Sequence, residues 1–490
     1  MKRYVILSIT ICIVILIYIT VKFCDYSIIS NYVISQISYR QIEVNPVYKN
    51  SVKAELYLNG LSYPTSMVFV DNRTLLVLEK DQGNIRWISD GILRPEPLLR
   101  IQNISNEAER GLLGLAVLNK NDTKNIPHSN NHSKIHLASE KDISRSDHSE
   151  HIPENPHYLV YLYFTERSYD TKPNNDSAGN ELDHTTRNRI YEYAWDGIGN
   201  LSNRRLIMDM SAEPGPYHNG GKMKIDKDGR LYAIIGDLTA ANNALQNNPG
   251  GSNNSNLIPN NSSVIVRIDP SINSYLPKDN PFYEYYHNDN KLQQLSFYYS
   301  YGIRNSFGID FDPVTGNLWD TENGEDMYDE INLVEPGFNS GWHKVMGPLQ
   351  RNNDTTISDL VMLKGSHYSD PEFSWKTPIG VTDIEFLRST NIGEDRANNI
   401  FVGAINNGNL YYFVLNSYRS GIDINSTIKE ENNRKGLEDL VADDQFESEG
   451  VIFAKGFDGR ITDIETGPDG SLYVLTYFDG RIYKISPMVG

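Results

Sequence analysis

Ile464 to Ser486 reads IETGPDGSLYVLTYFDGRIYKIS. Two Asp-Gly pairs, Asp469-Gly470 and Asp479-Gly480, separate three short apolar runs. Asp-Gly between such runs is a hairpin signal, because the tight turn that matches strand twist needs positive φ. The stretch is therefore a three-stranded meander. The same pattern returns upstream in MVFVDNRTLLVLEKDQGNIRWIS (Met67–Ser89), MKIDKDGRLYAIIGD (Met223–Asp237) and IDFDPVTGNLWDTENG (Ile309–Gly324). More strands follow at YLVYLYFTE (Tyr158–Glu166), RIYEYAWDG (Arg189–Gly197), VIVRIDP (Val264–Pro270) and IFVGAINNGNLYYFVLN (Ile400–Asn416). Self-similar meanders along one chain are the signature of a propeller, since no blade can bury both its faces alone. The expectation is an all-β chain of about six blades over residues 51–488. A row of β-sandwiches would show repeats of about 100 residues with clear linkers, and none are visible.

The chain carries 45 Lys and Arg against 63 Asp and Glu, a formal charge of −18 over 490 residues. That balance argues against nucleic acid or an anionic membrane surface as partner and suits a small-molecule ligand. Tyr4 to Val21 is an uncharged, mostly apolar run flanked by Lys2, Arg3 and Lys22. It is just long enough to span a bilayer and has no small-residue cleavage site. We read residues 1–24 as a transmembrane signal anchor, 25–50 as a linker, and the remainder as exported to the extracellular or periplasmic side. A signal peptide with an unusual cleavage site is the other reading. The only cysteines, Cys12 and Cys24, lie in or beside this segment, so the exported part has no internal disulfide. Sequons such as Asn72, Asn103, Asn200 and Asn425 suit an exterior surface. Asn119 to His157 has no period and holds six of the eleven histidines. It reads as a disordered surface insertion, with a His-rich metal tract as the other reading.

PYHNGGKMKIDKDGRLYAIIGD, Pro216 to Asp237, raises a different question. Its second half is a hairpin, but it opens on His218, Asn219 and two glycines. Either the imidazole is incidental to a tight corner, or His218 is a base where the backbone must approach something else.

YGIRNSFGIDFDPVTGNLWDTENGEDMYDEINLVEPGFNSGW, Tyr301 to Trp342, decides which. Gly302, Arg304, Asn305 and Gly308, then Glu322 and Gly324, then Asp329, Glu330, Ile331 and Asn332, then Gly337, Asn339, Gly341 and Trp342 resemble the signature of the quinoprotein glucose/sorbosone dehydrogenase family. Soluble glucose dehydrogenase and aldose sugar dehydrogenases belong to it. ERGLLGLAV (Glu109–Val117) and the C-terminal meander also look like family blocks in order. The resemblance implies a six-bladed β-propeller binding pyrroloquinoline quinone (PQQ) and calcium at one end of its channel. It further implies oxidation of an aldose at C1 to the lactone.

Carried over on the same resemblance, His218 is the general base, Arg304 and Asn305 hold the quinone end of the cofactor, and Glu109 stands at a catalytic, substrate-facing position. Gly220 and Gly221 let the backbone approach cofactor and sugar. The carbonyls of Gly324 and Glu325 face the cofactor calcium, and Asp329 and Glu330 resemble holders of a separate structural calcium. A simpler reading of Arg304 is an ion pair with Glu322. The family pattern also implies a sugar substrate, an external or respiratory electron acceptor, and admits a homodimer. No glycine fingerprint for a nicotinamide cofactor follows a strand.

The chain departs from the family in places. Glu109 stands where soluble glucose dehydrogenase has Gln, and Tyr217 where it has Asp. Among the cofactor anchors, Asn406 stands at the place of a lysine; Arg460 matches the first arginine of a pair, and Thr462 replaces the second. Each charged hydrogen bond lost to the PQQ carboxylates costs about 1.5–3 kcal/mol; Lys455 and Lys484 are candidate replacements. These losses favour a second reading, a non-catalytic propeller that binds a carbohydrate or protein. A calcium-dependent hydrolase is a third; it needs acidic ligands converging from several blades.

Overall fold

The computed structural model describes residues 41–488 except 46, 121–156, 169–173, 176–180, 183–184, 240–245, 248–258, 260, 286–291, 353–354 and 429–434. The segment read as a membrane anchor and nearly all of the linker and the polar insertion lie outside the described residues. Among the described residues no helix is long and apolar enough to cross a membrane.

The described strands form six blades, antiparallel except where Val441–Ala442 pairs in parallel with Phe373–Trp375 at the edge of blade 4, and a small two-stranded ribbon. The first strands of blades 1 to 6 are Pro64–Phe69, Leu112–Asn119, Met223–Ile225, Ser306–Phe311, Val381–Phe386 and Ile461–Thr466. Each first strand packs against the next, and the last packs against the first, so the six line a closed central channel. The Asp-Gly turns fall where the sequence puts them, with Gly229 at φ 82°, Gly470 at 76° and Gly480 at 60°. Closure comes from the N-terminal side. Val52–Leu58 pairs with Arg481–Pro487 as the outer strand of blade 6. Glu43–Val44 pairs with Lys455 and Ala454 at the edge of blade 5. The last residues of the expected linker therefore belong to the propeller, because the edge of blade 5 needs a partner.

Blades are apolar on both faces, which is why they stack. Between blades 2 and 3, Tyr161, Tyr163 and Ile190 meet Met223, Ala233 and Val266. Between blades 4 and 5, Trp319, Ile331, Phe373 and Trp375 meet Ile384, Val402 and Tyr411.

The first strands are also stapled by carboxylates. Asp310 Oδ2 accepts the N–H of Phe386 at 2.8 Å, Asp383 Oδ2 that of Ile464 at 3.0 Å, and Asp463 Oδ2 that of Met67 at 2.5 Å. Each staple joins one blade to the next. Lys222 bridges Asp383 (2.8 Å) and Asp463. Lys224 lies 3.4 Å from Asp310 and 3.2 Å from Glu385. These buried charges are paired and bonded to backbone, which offsets their desolvation. Thr382 and Thr462 occupy matching places. Their hydroxyls bond the carbonyls of Ile461 (3.1 Å) and Pro64 (3.2 Å) across the blade 5–6 and 6–1 seams.

Candidate functional site

Strand direction fixes which end of the channel carries the chemistry. Connections into first strands and turns between second and third strands emerge at the same end. Glu109, His218, Arg304, Asn305 and Arg460 lie in the former, and Gly324, Glu325 and Asn406 in the latter. Every site residue read from the sequence, except Asp329 and Glu330 just inside blade 4, belongs to this mouth. A cavity of about 620 Å³ opens at the opposite end, lined by Lys222, Lys224, Asp310, Glu385 and Arg388, and holds none of them.

His218 sits in the left-handed region at φ 59°, a strained placement that points to function. Its Nδ1 lies 2.6 Å from Asp237 Oδ1. Asp237 Oδ2 in turn accepts the indole N–H of Trp342 at 2.9 Å, and the Asp237 N–H donates to Arg304 O at 2.8 Å. The His218 backbone N–H donates to Glu109 Oε2 at 2.6 Å. Burial pushes the Glu109 carboxyl up, against the pull of His218 and Arg304. Four connections thus converge on one imidazole. Gly236 makes this possible, since a Cβ there would meet His218 O at 2.6 Å and Arg304 O at 2.8 Å.

Arg304 does not form the ion pair with Glu322. Its backbone N–H donates to Glu322 Oε1 at 2.6 Å. Its guanidinium donates through Nη1 to Asn323 O at 3.1 Å and lies 5.3 Å from the centre of the Trp342 ring. Arg304 Nε and Asn305 Oδ1 are buried and have no hydrogen-bond partner among the described residues. Two unpartnered polar atoms on adjacent residues at a channel mouth call for a polar ligand.

Gly220 and Gly221 are glycines for a different reason than the sequence suggests. A Cβ on Gly220 would meet Ile234 O at 2.3 Å, and one on Gly221 would meet Leu113 Cβ at 2.4 Å. The corner packs against blades 3 and 2 themselves.

The side chains of Asp329 and Glu330, expected at a separate structural calcium, are not brought to one point. Asp329 and Glu330 are consecutive in the strand Asp329–Val334, so their side chains leave opposite faces. Asp329 Oδ1 accepts the Gly324 N–H at 3.0 Å, and Oδ2 those of Ile379 (2.8 Å), Gly380 (2.7 Å) and Val381 (3.2 Å). It is a backbone clamp with its lone pairs in use. Glu325 is exposed at the turn. Glu330 instead stands opposite Glu322 in the sheet, with Asp320 two residues away on the same face. Burial raises all three carboxyls, Asp320 to about 7 and Glu322 to about 8, and Glu322 and Glu330 are raised further by their acidic neighbours. The side chains of Asn332 and Ser306 face Asp320 and pull its carboxyl down against that rise, though neither makes a well-formed hydrogen bond to it among the described residues. Among the described residues no three His, Cys, Asp or Glu side chains are already gathered as metal ligands.

The carboxylate end of the expected cofactor site is poor in cations. Asn406 is exposed in the blade 5 turn and lies against Gly380. Thr462 is committed to the seam with blade 1. Lys455 and Lys484 do not replace them, because they sit on outer strands with Glu449 (3.4 Å) and Asp469 (2.5 Å). Arg460, at the mouth, has no partner for its guanidinium among the described residues. Sequence reading missed Asp237, Trp342 as its donor, and the Glu322–Asp320 pair. The one visible signal for Asp237 was its place at the end of the strand that follows His218.

A family model described as Glucose / Sorbosone dehydrogenase matches residues 61–484. Aldose sugar dehydrogenase YliI of Escherichia coli is 26% identical over 59% of this chain and 68% of its own length. Quinoprotein glucose dehydrogenase B of Acinetobacter calcoaceticus is 24% identical over 60% of this chain and 52% of its own. The PQQ-bound aldose sugar dehydrogenase structure from Streptomyces coelicolor shares the fold, with a TM-score of 0.56 at 20% identity over 90% of this chain and 99% of that one.

Proposed function

The chain belongs to the glucose/sorbosone dehydrogenase family, and from that premise we propose that it oxidises an aldose sugar at C1 to the lactone with PQQ and calcium. The observation that carries this reading is the chain from Trp342 through Asp237 to His218, beside the unpartnered edge of Arg304 and Asn305. The unpartnered Arg304 Nε–H and the free guanidinium of Arg460 fit an anionic cofactor, and Asn305 Oδ1 awaits a donor. The carboxyls of Asp320, Glu322 and Glu330, gathered on one face of blade 4, fit a cation. When bound, the quinone supplies a hydride acceptor and calcium a Lewis acid.

Asp237 takes the Nδ1 side of the imidazole, which leaves Nε2 as the proton acceptor. As the C1 hydride departs, the O1 proton passes to Nε2 and the C1–O1 double bond of the lactone forms. Trp342 fixes Asp237, so the ring does not turn away. Arg304 is placed to stabilise negative charge on a neighbouring oxygen. Glu109 anchors the backbone of the base and keeps its other oxygen, which has no partner among the described residues, for a sugar hydroxyl. In the same reading, residues 1–24 anchor the propeller on the outer side of a membrane, and electrons leave to an external or respiratory acceptor.

The test is a calorimetric titration of PQQ in millimolar calcium, with dye-linked sugar oxidation on the same sample. Micromolar or tighter binding with turnover supports the dehydrogenase. Absent binding, with calcium still raising the melting temperature, favours the non-catalytic propeller; the exposed Asn406 and the committed Thr462 support that second reading. Two expected outcomes follow from the first. Asn406→Lys tightens PQQ about tenfold or more, the value of one charged hydrogen bond, and an unchanged Kd would place that turn away from the cofactor. Calcium at about 100 times its Kd adds ~2.7 kcal/mol of stability, and chelation removes it. Glu330→Gln abolishes that response if Glu330 is a ligand.

A further inference from the structure

Large exposed apolar side chains such as Ile198, Tyr418 and Phe446 stand apart from one another on scattered turns and a short helix. Tyr63 and Phe478 differ, because Tyr477 joins them into one surface. Tyr63 and Tyr477 rings are 5.3 Å apart across the seam between blades 1 and 6, and Tyr477 and Phe478 rings are 5.1 Å apart. Tyr63 is 44% and Phe478 63% exposed. Tyr63 precedes the first strand of blade 1, and Tyr477–Phe478 forms the second turn of blade 6, so the patch lies at the mouth that holds His218. Neither tyrosine hydroxyl has a partner among the described residues. Tyr63 is held at φ 45°, and such strain in a bulky residue is kept where it serves a purpose.

The patch is continuous with the base. The Lys80 N–H donates to Tyr63 O at 3.1 Å. The Lys80 ammonium donates to Ala108 O at 2.9 Å and Arg110 O at 3.0 Å, and Glu109 between them holds His218. Polar groups edge the rings: Gln82 donates to Ser62 Oγ at 2.9 Å, and Asp81 bears on Tyr477. Lys80, the near cation on the blade 1 side, is spent on carbonyls and on Asp81 at 2.7 Å. An apolar patch with a polar edge marks a ligand groove. Aromatic faces with free hydroxyls, edged by amide and carboxylate, suit the apolar face and hydroxyl edge of a neutral sugar ring, with Arg460, whose carbonyl accepts the Tyr477 N–H at 2.8 Å, kept for the cofactor.

We propose that Tyr63, Tyr477 and Phe478 form a subsite for the second and later rings of a neutral oligosaccharide whose reducing end reaches His218. This rests on the sugar-dehydrogenase reading and names its substrate class. The chain needs no cofactor to bind through this surface. Calorimetry on the full chain compares glucose, maltotetraose and cellotetraose, with oxidation of each measured beside it. At least one tetrasaccharide binds tenfold or more tighter than glucose. Phe478→Ala and Tyr63→Asn, the latter chosen because Asn accepts positive φ, each remove about tenfold of that affinity and leave glucose binding and oxidation unchanged. Tetrasaccharides that bind no better than glucose, or variants that change both ligands equally, overturn the subsite. A sedimentation shift that Phe478→Ala abolishes also overturns it, because the patch is then an interface between copies. Tetrasaccharide binding without oxidation of any sugar leaves the subsite standing and defeats the dehydrogenase reading.

Discussion

Asp329→Ala lowers the stability of the propeller by about 4 kcal/mol or more, read as a fall in the denaturant midpoint. The carboxylate is fully buried and accepts four backbone N–H groups, from Gly324, Ile379, Gly380 and Val381. Removing it strands all four donors at the junction of blades 4 and 5. Each unsatisfied buried donor costs about 1–3 kcal/mol, and water entering the vacated space recovers part of the total. Asp329→Asn keeps one acceptor oxygen but brings an N–H₂ toward those amides, so its loss is intermediate. Gly380 sits at φ 67° and its N–H is one of the four. The clamp therefore also holds the backbone beside Asn406 in place. A variant of unchanged midpoint would refute this role and return Asp329 to the set of metal candidates.

His218→Asn lowers kcat/KM for the sugar by about 10²- to 10⁴-fold, the usual contribution of a positioned general base. Asn is chosen because His218 lies at φ 59°, a region Asn enters at little cost. The fold and the Glu109 contact to the backbone therefore persist. Asn has no basic nitrogen to receive the O1 proton, so the loss falls on turnover and not on binding. The measurement is steady-state oxidation alongside sugar and PQQ titrations. Retained turnover would remove His218 from the reaction. Lost turnover together with lost cofactor binding would show a structural role instead.

Much of this was legible in the sequence. The meanders around Asp228-Gly229 and Asp469-Gly470 are local, so turn chemistry and alternation were enough to recognise blades. His218, Arg304 and Asn305 were read from the family resemblance, and the structure places all three in connections that enter first strands at one mouth. That Asp329 and Glu330 part company was not legible, because it takes strand alternation to see that two consecutive residues cannot share a face. Asp237 was missed because it lies 19 residues from His218 in a turn that only the sheet folds back.

The sequence by itself determined the blades and their approximate number, because hairpins are made by neighbours. Only the tertiary structure decided what the polar residues do. It gave Asp310, Asp383 and Asp463 to stapling successive blades, Thr462 to the seam where the ring closes, and Asp237 to the imidazole. A buried carboxylate takes whichever donor the closed ring brings within about 3 Å, and no local pattern records which donor that will be.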